Sequence, residues 1–314
     1  MTPVRPVSLA RPRALAEGDR VPVLCASSPV EPGALAAGLD ALRFAGLDPV
    51  TYPSTHDPGT MRRYLAGDDA MRAGDLRCAL TEPGIAGILF ARGGSGAQRT
   101  LEAMDWDGLG PETGLPPKVV AGYSDVTAVL EAVAVRLGWA SVFGPNIAIK
   151  EGASHYSFGS LLRTLMRPDQ ATVIRYPPAV TVVPGTARGV TIGGTLSLLV
   201  SSLGTCTSRP ARGGILLLED VNEEDYRVDR MLTQLRRSGY LDGVAGIVAG
   251  TFTGCGPPEA IQDILAERLG SLGVPMIAWA NVGHGGLFQA FPYGIAAELD
   301  AGAATLRLLD APLS

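Results

Sequence analysis

The chain has few of the residues that build metal centres and disulfide frameworks. Its four cysteines lie far apart and form no C-x-x-C pair: Cys25, Cys78, Cys206 and Cys255. That spacing argues against a zinc site and against a disulfide-dense secreted domain. We expect each cysteine to be a small buried apolar residue, and we expect no metal site.

Charge is also sparse. Charged residues make up 18% of the chain, and the formal net charge is −5. No long basic run or basic stripe interleaved with aromatics occurs, so a nucleic acid is not expected as a partner. No apolar run reaches the roughly 18–20 residues of a membrane span, so no membrane-spanning segment is predicted. Residues 1–19 lack the apolar core of a secretory signal, and we interpret them as a loosely ordered extension of a cytoplasmic protein.

What is present is typical of a soluble globular protein with a large core. Hydrophobic residues account for 46% of the 314 residues;. Predicted strands alternate with predicted helices over residues 20–165, which favours an α/β domain with a doubly wound, mostly parallel sheet. Proline-punctuated β-like segments then predict a linker over 166–187. A second, smaller α/β domain is predicted over 188–314, ending in a hairpin.

One strand-turn-helix corner stands out in the first domain. An apolar run ending at Ala121 meets Gly122 and a Tyr-Ser-Asp turn, and a helix-like run begins at Val126. This pattern places Ser124 at the carboxyl end of a strand, beside the unpaired N–H groups of the next helix. The corner resembles a nucleophile elbow, although Val126 stands where G-x-S-x-G has its second glycine. Ser124 is therefore either a nucleophile or an ordinary helix cap.

A nucleophilic serine needs a base, and the chain has only three histidines;. His56 lies in a polar loop and is expected to be exposed to solvent. His155 lies near a predicted helix start, as a cap neighbour or a substrate contact. His284 follows an apolar strand and is flanked by glycines, which leave its imidazole uncrowded. His284 is the favoured base, and the alternative is a loop histidine with ordinary hydrogen bonds.

A carboxylate is then needed to orient the imidazole. Glu219 and Asp220 end a buried apolar strand, where a charge is costly unless it has partners. Strand side chains alternate, so only one of the two can face a given site. Alternatively, both serve structure, by capping the next helix or pairing with Arg227 or Arg230. The pattern does not choose between the two carboxylates.

The glycine-rich segment Arg92–Gly96 follows another predicted strand and has two interpretations. It could cradle a phosphate, but it matches neither G-x-G-x-x-G nor a sequence ending in G-K-[ST]. It could instead present bare backbone N–H groups to an oxyanion at the serine corner. Arg92 could then bind a substrate carboxylate through two parallel hydrogen bonds.

Taken together in order, these motifs resemble the LD-carboxypeptidase family of serine peptidases, which also includes the microcin C self-immunity proteins. The resemblance covers about residues 20–310. It is carried by Ala91-Arg92-Gly93-Gly94-Ser95-Gly96, Gly122-Tyr123-Ser124-Asp125-Val126-Thr127, Gly144-Pro145-Asn146, Gly193-Gly194, Leu218-Glu219-Asp220-Val221-Asn222-Glu223, Tyr226 to Leu232, Gly283-His284 and Pro292-Tyr293-Gly294.

The resemblance implies a Ser-His-Glu triad, with Ser124 as the nucleophile, His284 as the general base and Glu219 as the orienting acid. It also implies an oxyanion hole made by the backbone N–H of Asp125 and one from the Gly93-Gly94 turn, for which we choose Gly94. The implied architecture is an N-terminal doubly wound domain and a smaller C-terminal α/β domain with barrel-like strands. The site would lie between them in a homodimer that needs no metal or organic cofactor.

The family hydrolyses the bond between the L-centre of a diamino acid and a terminal D-alanine in murein tetrapeptides. The resemblance therefore implies a murein peptide substrate and a role in peptidoglycan recycling. We assign Arg92, Gly93 and Ser95 to substrate binding. A first alternative is a self-immunity-type hydrolase of peptidyl or aminoacyl nucleotide amides, but its base-stacking aromatic has no obvious loop candidate among Trp106, Trp139 and Trp279. A second is a non-catalytic, nucleotide-binding α/β protein that uses the glycine-rich loop.

Overall fold

The computed structural model describes residues 8–60, 62–148 and 155–314. The first half of the chain alternates strands and helices, as predicted. Its elements are β1 (Arg20–Leu24), α1 (Pro32–Phe44), β2 (Asp48–Thr51), α2 (Asp69–Thr81), β3 (Gly87–Phe90), α3 (Ala97–Ala103), β4 (Val119–Gly122), α4 (Thr127–Arg136), β5 (Ser141–Phe143) and α5 (His155–Met166).

The second half is richer in strands. Its elements are β6 (Val173–Arg175), β7 (Val180–Val183), β8 (Thr186–Thr195), α6 (Leu196–Ser201), β9 (Gly214–Val221), α7 (Asp225–Arg237), β10 (Gly246–Thr253), α8 (Pro258–Arg268), β11 (Met276–Ala278), β12 (Phe291–Tyr293), β13 (Ala296–Asp300) and β14 (Thr305–Leu308). Within the described residues, none of the helices is both long and apolar enough to cross a membrane.

The first sheet has the order β2-β1-β3-β4-β5-β12, and its first five strands are parallel to one another. This confirms the predicted mostly parallel sheet, and the order of β1 to β5 is that of doubly wound flavodoxin-like folds. The sixth strand, β12, is antiparallel to β5 and comes from far along the chain. Parallel strands end at one edge, so the loops after β1, β3 and β4 gather there.

The second sheet is mixed and has eight strands in the order β6-β14-β13-β8-β9-β10-β11-β7. Its central strands, β8 to β11, are parallel, and antiparallel strands flank them. The predicted C-terminal hairpin is confirmed as β13 and β14. In the described residues this sheet is open, with β6 and β7 at its edges, so the expected barrel-like strands do not close into a barrel. Both edge strands come from the 166–187 segment.

Helix α4 packs between the two sheets. Its residues Thr127–Ala134 are all buried, because α4 contacts β4 and β5 of the first sheet and also β8 of the second sheet and α6. A helix stretch buried on every side needs mostly apolar or small residues, and Ala, Val and Leu supply them here apart from Thr127 and Glu131;. The two α/β domains therefore both pack against α4.

Residues 8–19 are more firmly held than expected. Leu9 donates its N–H to Gly294 O at 2.9 Å, and Leu15 donates its own to Leu165 O at 2.8 Å. The Leu15 side chain is only 2% exposed. The expectation of a loosely ordered segment is wrong for this stretch, because its backbone groups and one leucine are bound to the body of the protein. Residues 1–7 lie outside the described residues.

The cysteine expectation is half right. Cys25 and Cys255 are buried, whereas Cys78 and Cys206 are exposed. Burial raises the pKa of the Cys25 thiol to about 12 and that of Cys255 to about 11. These two thiols are therefore small apolar residues of the core.

One carboxyl group is buried in α4 itself. Glu131 is 1% exposed, and its Oε1 lies 3.5 Å from the backbone N of Arg209. Its Oε2 has no hydrogen-bond partner among the described residues. Burial raises the pKa of Glu131 to about 8, because a charge so far from water is disfavoured;.

A raised pKa makes this carboxyl a source of pH-dependent stability. The unfolded chain releases the proton near the ordinary pKa, whereas the folded protein keeps it up to about pH 8. Glu131 therefore contributes stability at low pH that is lost as the pH rises to 8. We expect Glu131→Gln to remove this dependence, so that the difference in unfolding free energy between the two proteins changes by at most about 1.4 kcal/mol per pH unit between pH 5 and 8. Urea unfolding of both proteins at several pH values measures it, and parallel curves would contradict the assignment.

Candidate active site

The serine corner forms at the carboxyl end of β4, as predicted. Ser124 has φ of +66°, in the left-handed region that non-glycine residues rarely occupy;. It begins a short 3₁₀ turn, Ser124–Val126, that leads directly into α4. Within the described residues, no side chain caps the start of this turn or of α4. Backbone strain at a single, partly buried turn residue is typical of functional sites;.

The structure brings three predicted side chains together. Ser124 Oγ lies 3.0 Å from Nε2 of His284, and Nδ1 of His284 lies 2.7 Å from Oε2 of Glu219. The Glu219 side chain is fully buried, and that of His284 is 15% exposed. His56 is exposed beside Thr51, and His155 begins α5. Of the three histidines, His284 is the one that contacts the serine.

The hydrogen bonds around Glu219 define the imidazole tautomer. Glu219 Oε2 also accepts the backbone N–H of His284 at 3.1 Å. An ionised carboxylate only accepts hydrogen bonds, so Nδ1 of His284 must carry a proton and donate it. In the neutral ring, Nε2 then has a free lone pair, which can accept the hydroxyl proton of Ser124. The arrangement can remove a proton from the serine as it attacks a carbonyl carbon.

The neighbouring carboxylate has a different environment. Asp220 points to the other side of β9, where Oδ2 accepts the N–H of Ser197 at 2.7 Å and Oδ1 accepts that of Val221 at 2.8 Å. Burial raises the pKa of Asp220 to about 6. The strand alternation thus separates the pair: Glu219 faces His284, and Asp220 binds the first turn of α6. Asp220 therefore caps α6, the helix before β9. The sequence had offered α7, the helix after β9, as the one to be capped.

A glycine permits the contact between the acid and the histidine loop. Gly283 has φ of +109°, and a Cβ atom there would lie 2.3 Å from Oε2 of Glu219. Any side chain would therefore push the carboxylate or the loop away. Gly283 lets the backbone of the loop reach Glu219, so that both N–H donors of His284 meet one oxygen.

The glycine-rich loop packs directly on the serine corner. A Cβ atom at Gly93 would lie 2.8 Å from Cβ of Ser124. Asp125, the residue after the serine, accepts the N–H of Ala97 at the start of α3, at 2.7 Å. Burial raises the pKa of the Asp125 carboxyl. This carboxyl therefore ties the loop to the corner and lies outside the Ser-His-Glu contacts.

Two backbone N–H groups lie beside the serine, those of Asp125 and Gly94. For the part of the chain that the structure describes, no acceptor is recorded for the N–H of Asp125 or of Gly94. Gly94 follows the glycine that contacts Ser124, and its φ of +110° is readily adopted only by glycine;. Such N–H groups can bind an oxyanion.

The other residues assigned to substrate binding lie on the outer side of this loop. Arg92 is exposed, and its Nη1 donates to Pro29 O at 2.9 Å. Ser95 is exposed, and its N–H donates to Oγ of Ser28 at 3.0 Å. Ser28 in turn donates to Tyr64 O at 2.8 Å. The loop is thus held by the segment after β1, with the Arg92 and Ser95 side chains at its surface.

Sequence reasoning missed two contacts with the histidine and the acid. The ring of Tyr123 lies 4.8 Å from that of His284, between centroids, and contacts Phe288 edge-on at 5.0 Å. Burial, and then the charge of Glu219, raise the pKa of Tyr123 to about 12. Thr195 Oγ1 donates to Oε1 of Glu219 at 2.6 Å. The available signals were the position of Tyr123 beside the serine and the pair of glycines before Thr195.

Comparison with known proteins agrees with the motif order. The profile of the LD-carboxypeptidase N-terminal domain matches residues 21–144, and that of the C-terminal domain matches residues 188–299. The chain belongs to the LD-carboxypeptidase family. Family membership identifies it as a peptidase, and it confirms the resemblance seen in the motifs.

Relatives match over almost the whole length. A Streptomyces coelicolor protein named as a carboxypeptidase is 47% identical, over 96% of each chain. The murein tetrapeptide carboxypeptidase of Pseudomonas aeruginosa is 30% identical, over 90% of this chain and 93% of its own. The structure of MccF in complex with glutamyl sulfamoyl guanosine superposes with a TM-score of 0.85, over 97% of this chain and 99% of that one. At 21% identity, this last likeness concerns the fold.

The role of Gly283 leads to a prediction with a matched control. We expect Gly283→Ala to slow the labelling of Ser124 by a fluorophosphonate roughly 100-fold, because the new Cβ would separate Glu219 from His284;. Gly286 lies in the same loop, and a Cβ there would meet nothing within 4 Å. Gly286→Ala should therefore label at the normal rate. Equal labelling of the two variants, with folding checked by circular dichroism, would show that the close approach at Gly283 is dispensable.

Proposed function

We propose that the protein is a serine carboxypeptidase that releases the terminal D-alanine from murein tetrapeptides by hydrolysing the L,D-peptide bond. The observation that carries the proposal is the continuous hydrogen-bonded series from Ser124 through His284 to the buried Glu219. A serine, a histidine and a carboxylate in this order form the constellation of acyl-transfer hydrolases on several unrelated folds.

In the proposed mechanism, Oγ of Ser124 attacks the carbonyl carbon of the scissile bond while its proton passes to Nε2 of His284. Glu219 keeps the imidazole oriented and stabilises the imidazolium that forms. The oxyanion accepts hydrogen bonds from the N–H groups of Asp125 and Gly94. The imidazolium then protonates the nitrogen of D-alanine, which leaves. His284 next removes a proton from water, which hydrolyses the acyl-enzyme and restores Ser124.

The substrate class is supported by the relatives. The Pseudomonas aeruginosa protein is named a murein tetrapeptide carboxypeptidase, and this chain spans 93% of it. We extend that substrate to this chain and place its activity in peptidoglycan recycling. An enzyme that removes one terminal residue must also recognise a free carboxylate, and Arg92 is the cation that lies on the loop beside Ser124.

The triad assignment predicts a clear difference between the two adjacent carboxylates. We expect Glu219→Gln to lower kcat for D-alanine release about 10⁴-fold, because the amide no longer secures the productive tautomer of His284. Asp220→Asn should retain most activity, since Asp220 faces α6. Ser124→Ala should fold normally and release no D-alanine above about 10⁻⁴ of the normal rate. Normal turnover by Ser124→Ala, measured by enzymatic detection of D-alanine, would disprove the proposed function.

Recognition of the substrate carboxylate gives a separate test. We expect Arg92→Met to raise KM for the tetrapeptide roughly 10- to 100-fold, with little change in kcat, because a charge-assisted hydrogen bond is lost. Arg307→Met, at an exposed arginine on β14, serves as the control. Amidation of the substrate carboxylate should weaken binding to the wild type but leave KM of Arg92→Met unchanged. If amidation cost both enzymes equally, Arg92 would have no part in carboxylate recognition.

A further inference from the structure

The second oxygen of Glu219 has its own donor, from a residue that neither the motifs nor the mechanism uses. Oε2 is occupied by the two N–H groups of His284, which leaves Oε1. Among the described residues, the donor recorded at Oε1 is the hydroxyl of Thr195, at 2.6 Å. Thr195 is 2% exposed and Glu219 is fully buried, so water has no ready access to this hydrogen bond.

We propose that Thr195 is a positioning residue for the triad. Its hydroxyl holds the carboxylate of Glu219 in one orientation, so that Oε2 remains directed at Nδ1 of His284. This inference rests on the proposed function of Ser124, His284 and Glu219. Among the described residues, Thr195 makes no hydrogen bond with Ser124, and its hydroxyl acts through the carboxylate of Glu219.

The chemistry of the contact gives it a direction. A carboxylate oxygen can only accept a hydrogen bond, so the hydroxyl of Thr195 donates one to Oε1 of Glu219;. A buried carboxylate oxygen without a donor would be costly and free to rotate toward another group. With both oxygens engaged, rotation of the carboxylate would break three hydrogen bonds at once.

The backbone supports the same orientation. Thr195 and Glu219 are register partners in the parallel pair β8 and β9, so their side chains point to the same face of the sheet;. Thr195 also has a β-branched side chain, whose χ1 angle has few options. The hydroxyl is therefore held at a definite place beside Oε1.

Thr195 also connects the acid to the serine corner. Its backbone N–H donates to Oγ1 of Thr127 at 3.2 Å, and Thr127 is the first residue of α4, three residues after Ser124. A Cβ atom at Gly194 would lie 2.7 Å from Cγ2 of Thr127, so the end of β8 sits directly on this helix start. Hydrogen bonds and three residues of backbone thus form a closed ring through Ser124, His284, Glu219, Thr195 and Thr127.

Two pairs of variants isolate the hydroxyl of Thr195. Thr195→Val keeps the shape of threonine without the hydroxyl, and Thr195→Ser keeps the hydroxyl without the methyl group. We expect Thr195→Val to lower kcat for D-alanine release roughly 10- to 100-fold at nearly unchanged KM, and Thr195→Ser to stay near the wild type. Thr195→Ala compared with Thr195→Ser repeats the comparison in a smaller side chain, in case the valine variant folds poorly.

A spectroscopic readout separates orientation from general damage. The Nδ1 proton of His284, hydrogen-bonded to Glu219, should give a low-field proton NMR resonance that disappears in His284→Ala. We expect this resonance to persist in Thr195→Ser and to shift or broaden in Thr195→Val. The control is Thr191→Val, which removes a buried hydroxyl from the same strand, where it contacts the backbone of Ile295. This control should leave both the resonance and kcat unchanged.

The outcomes distinguish this inference from the proposed function. Wild-type kcat and an unshifted resonance in Thr195→Val would overturn the positioning role, as would a loss of kcat that Thr195→Ser shares. Turnover in Ser124→Ala would instead overturn the proposed function. The resonance reports on the contact between Thr195 and Glu219 without any substrate, so it still tests that contact if the substrate has been wrongly assigned.

Discussion

A carboxylate with no access to water must find a partner for each of its oxygens, and the geometry around Glu219 follows from that requirement. An unpaired buried charge costs several kcal/mol, which no ordinary domain can spare at many positions. Glu219 is satisfied by Thr195 from β8 and by His284 from the loop after β11. These contacts require a strand pair in the correct register and a glycine at position 283. Nδ1 of His284 is thereby turned toward the acid, which leaves Nε2 facing Ser124.

The two sheets contribute different parts of this site, and α4 packs against both of them. Ser124 and the glycine-rich loop come from the first sheet, whereas Glu219 and His284 come from the second. Helix α4 begins three residues after Ser124, is buried from Thr127 to Ala134, and touches both sheets. Strand β12 adds a second connection between the histidine loop and the first sheet. It follows the loop that carries His284, and it pairs with β5. The serine and the histidine are thus joined both by packing and by strand pairing.

Local pattern was sufficient to predict elements and insufficient to predict their long-range partners. The parallel strands β1 to β5, the corner at Ser124 and the final hairpin follow from apolar periodicity and glycine positions, and the structure has all of them. The place of β12 in the first sheet could not be predicted, since a three-residue strand carries no signal of which edge it joins. The packing of Leu9 and Leu15 was missed for the same reason, because their acceptors lie more than 100 residues away. Thr195 was missed because a threonine at a strand end is ordinary until its neighbour in the next strand is known.

The serine corner also shows why a second glycine is unnecessary here. In the usual elbow, glycines two residues before and after the serine let the strand and the helix approach closely. Here Val126 takes the second position, and its side chain folds back across Gly122, where a Cβ atom would lie 2.9 Å from Cγ1 of Val126. The space is therefore supplied by two glycines, Gly122 before the serine and Gly93 on the adjacent loop. Val126 is fully buried, so the apolar contact it makes adds to the packing that holds Ser124 in its strained conformation;.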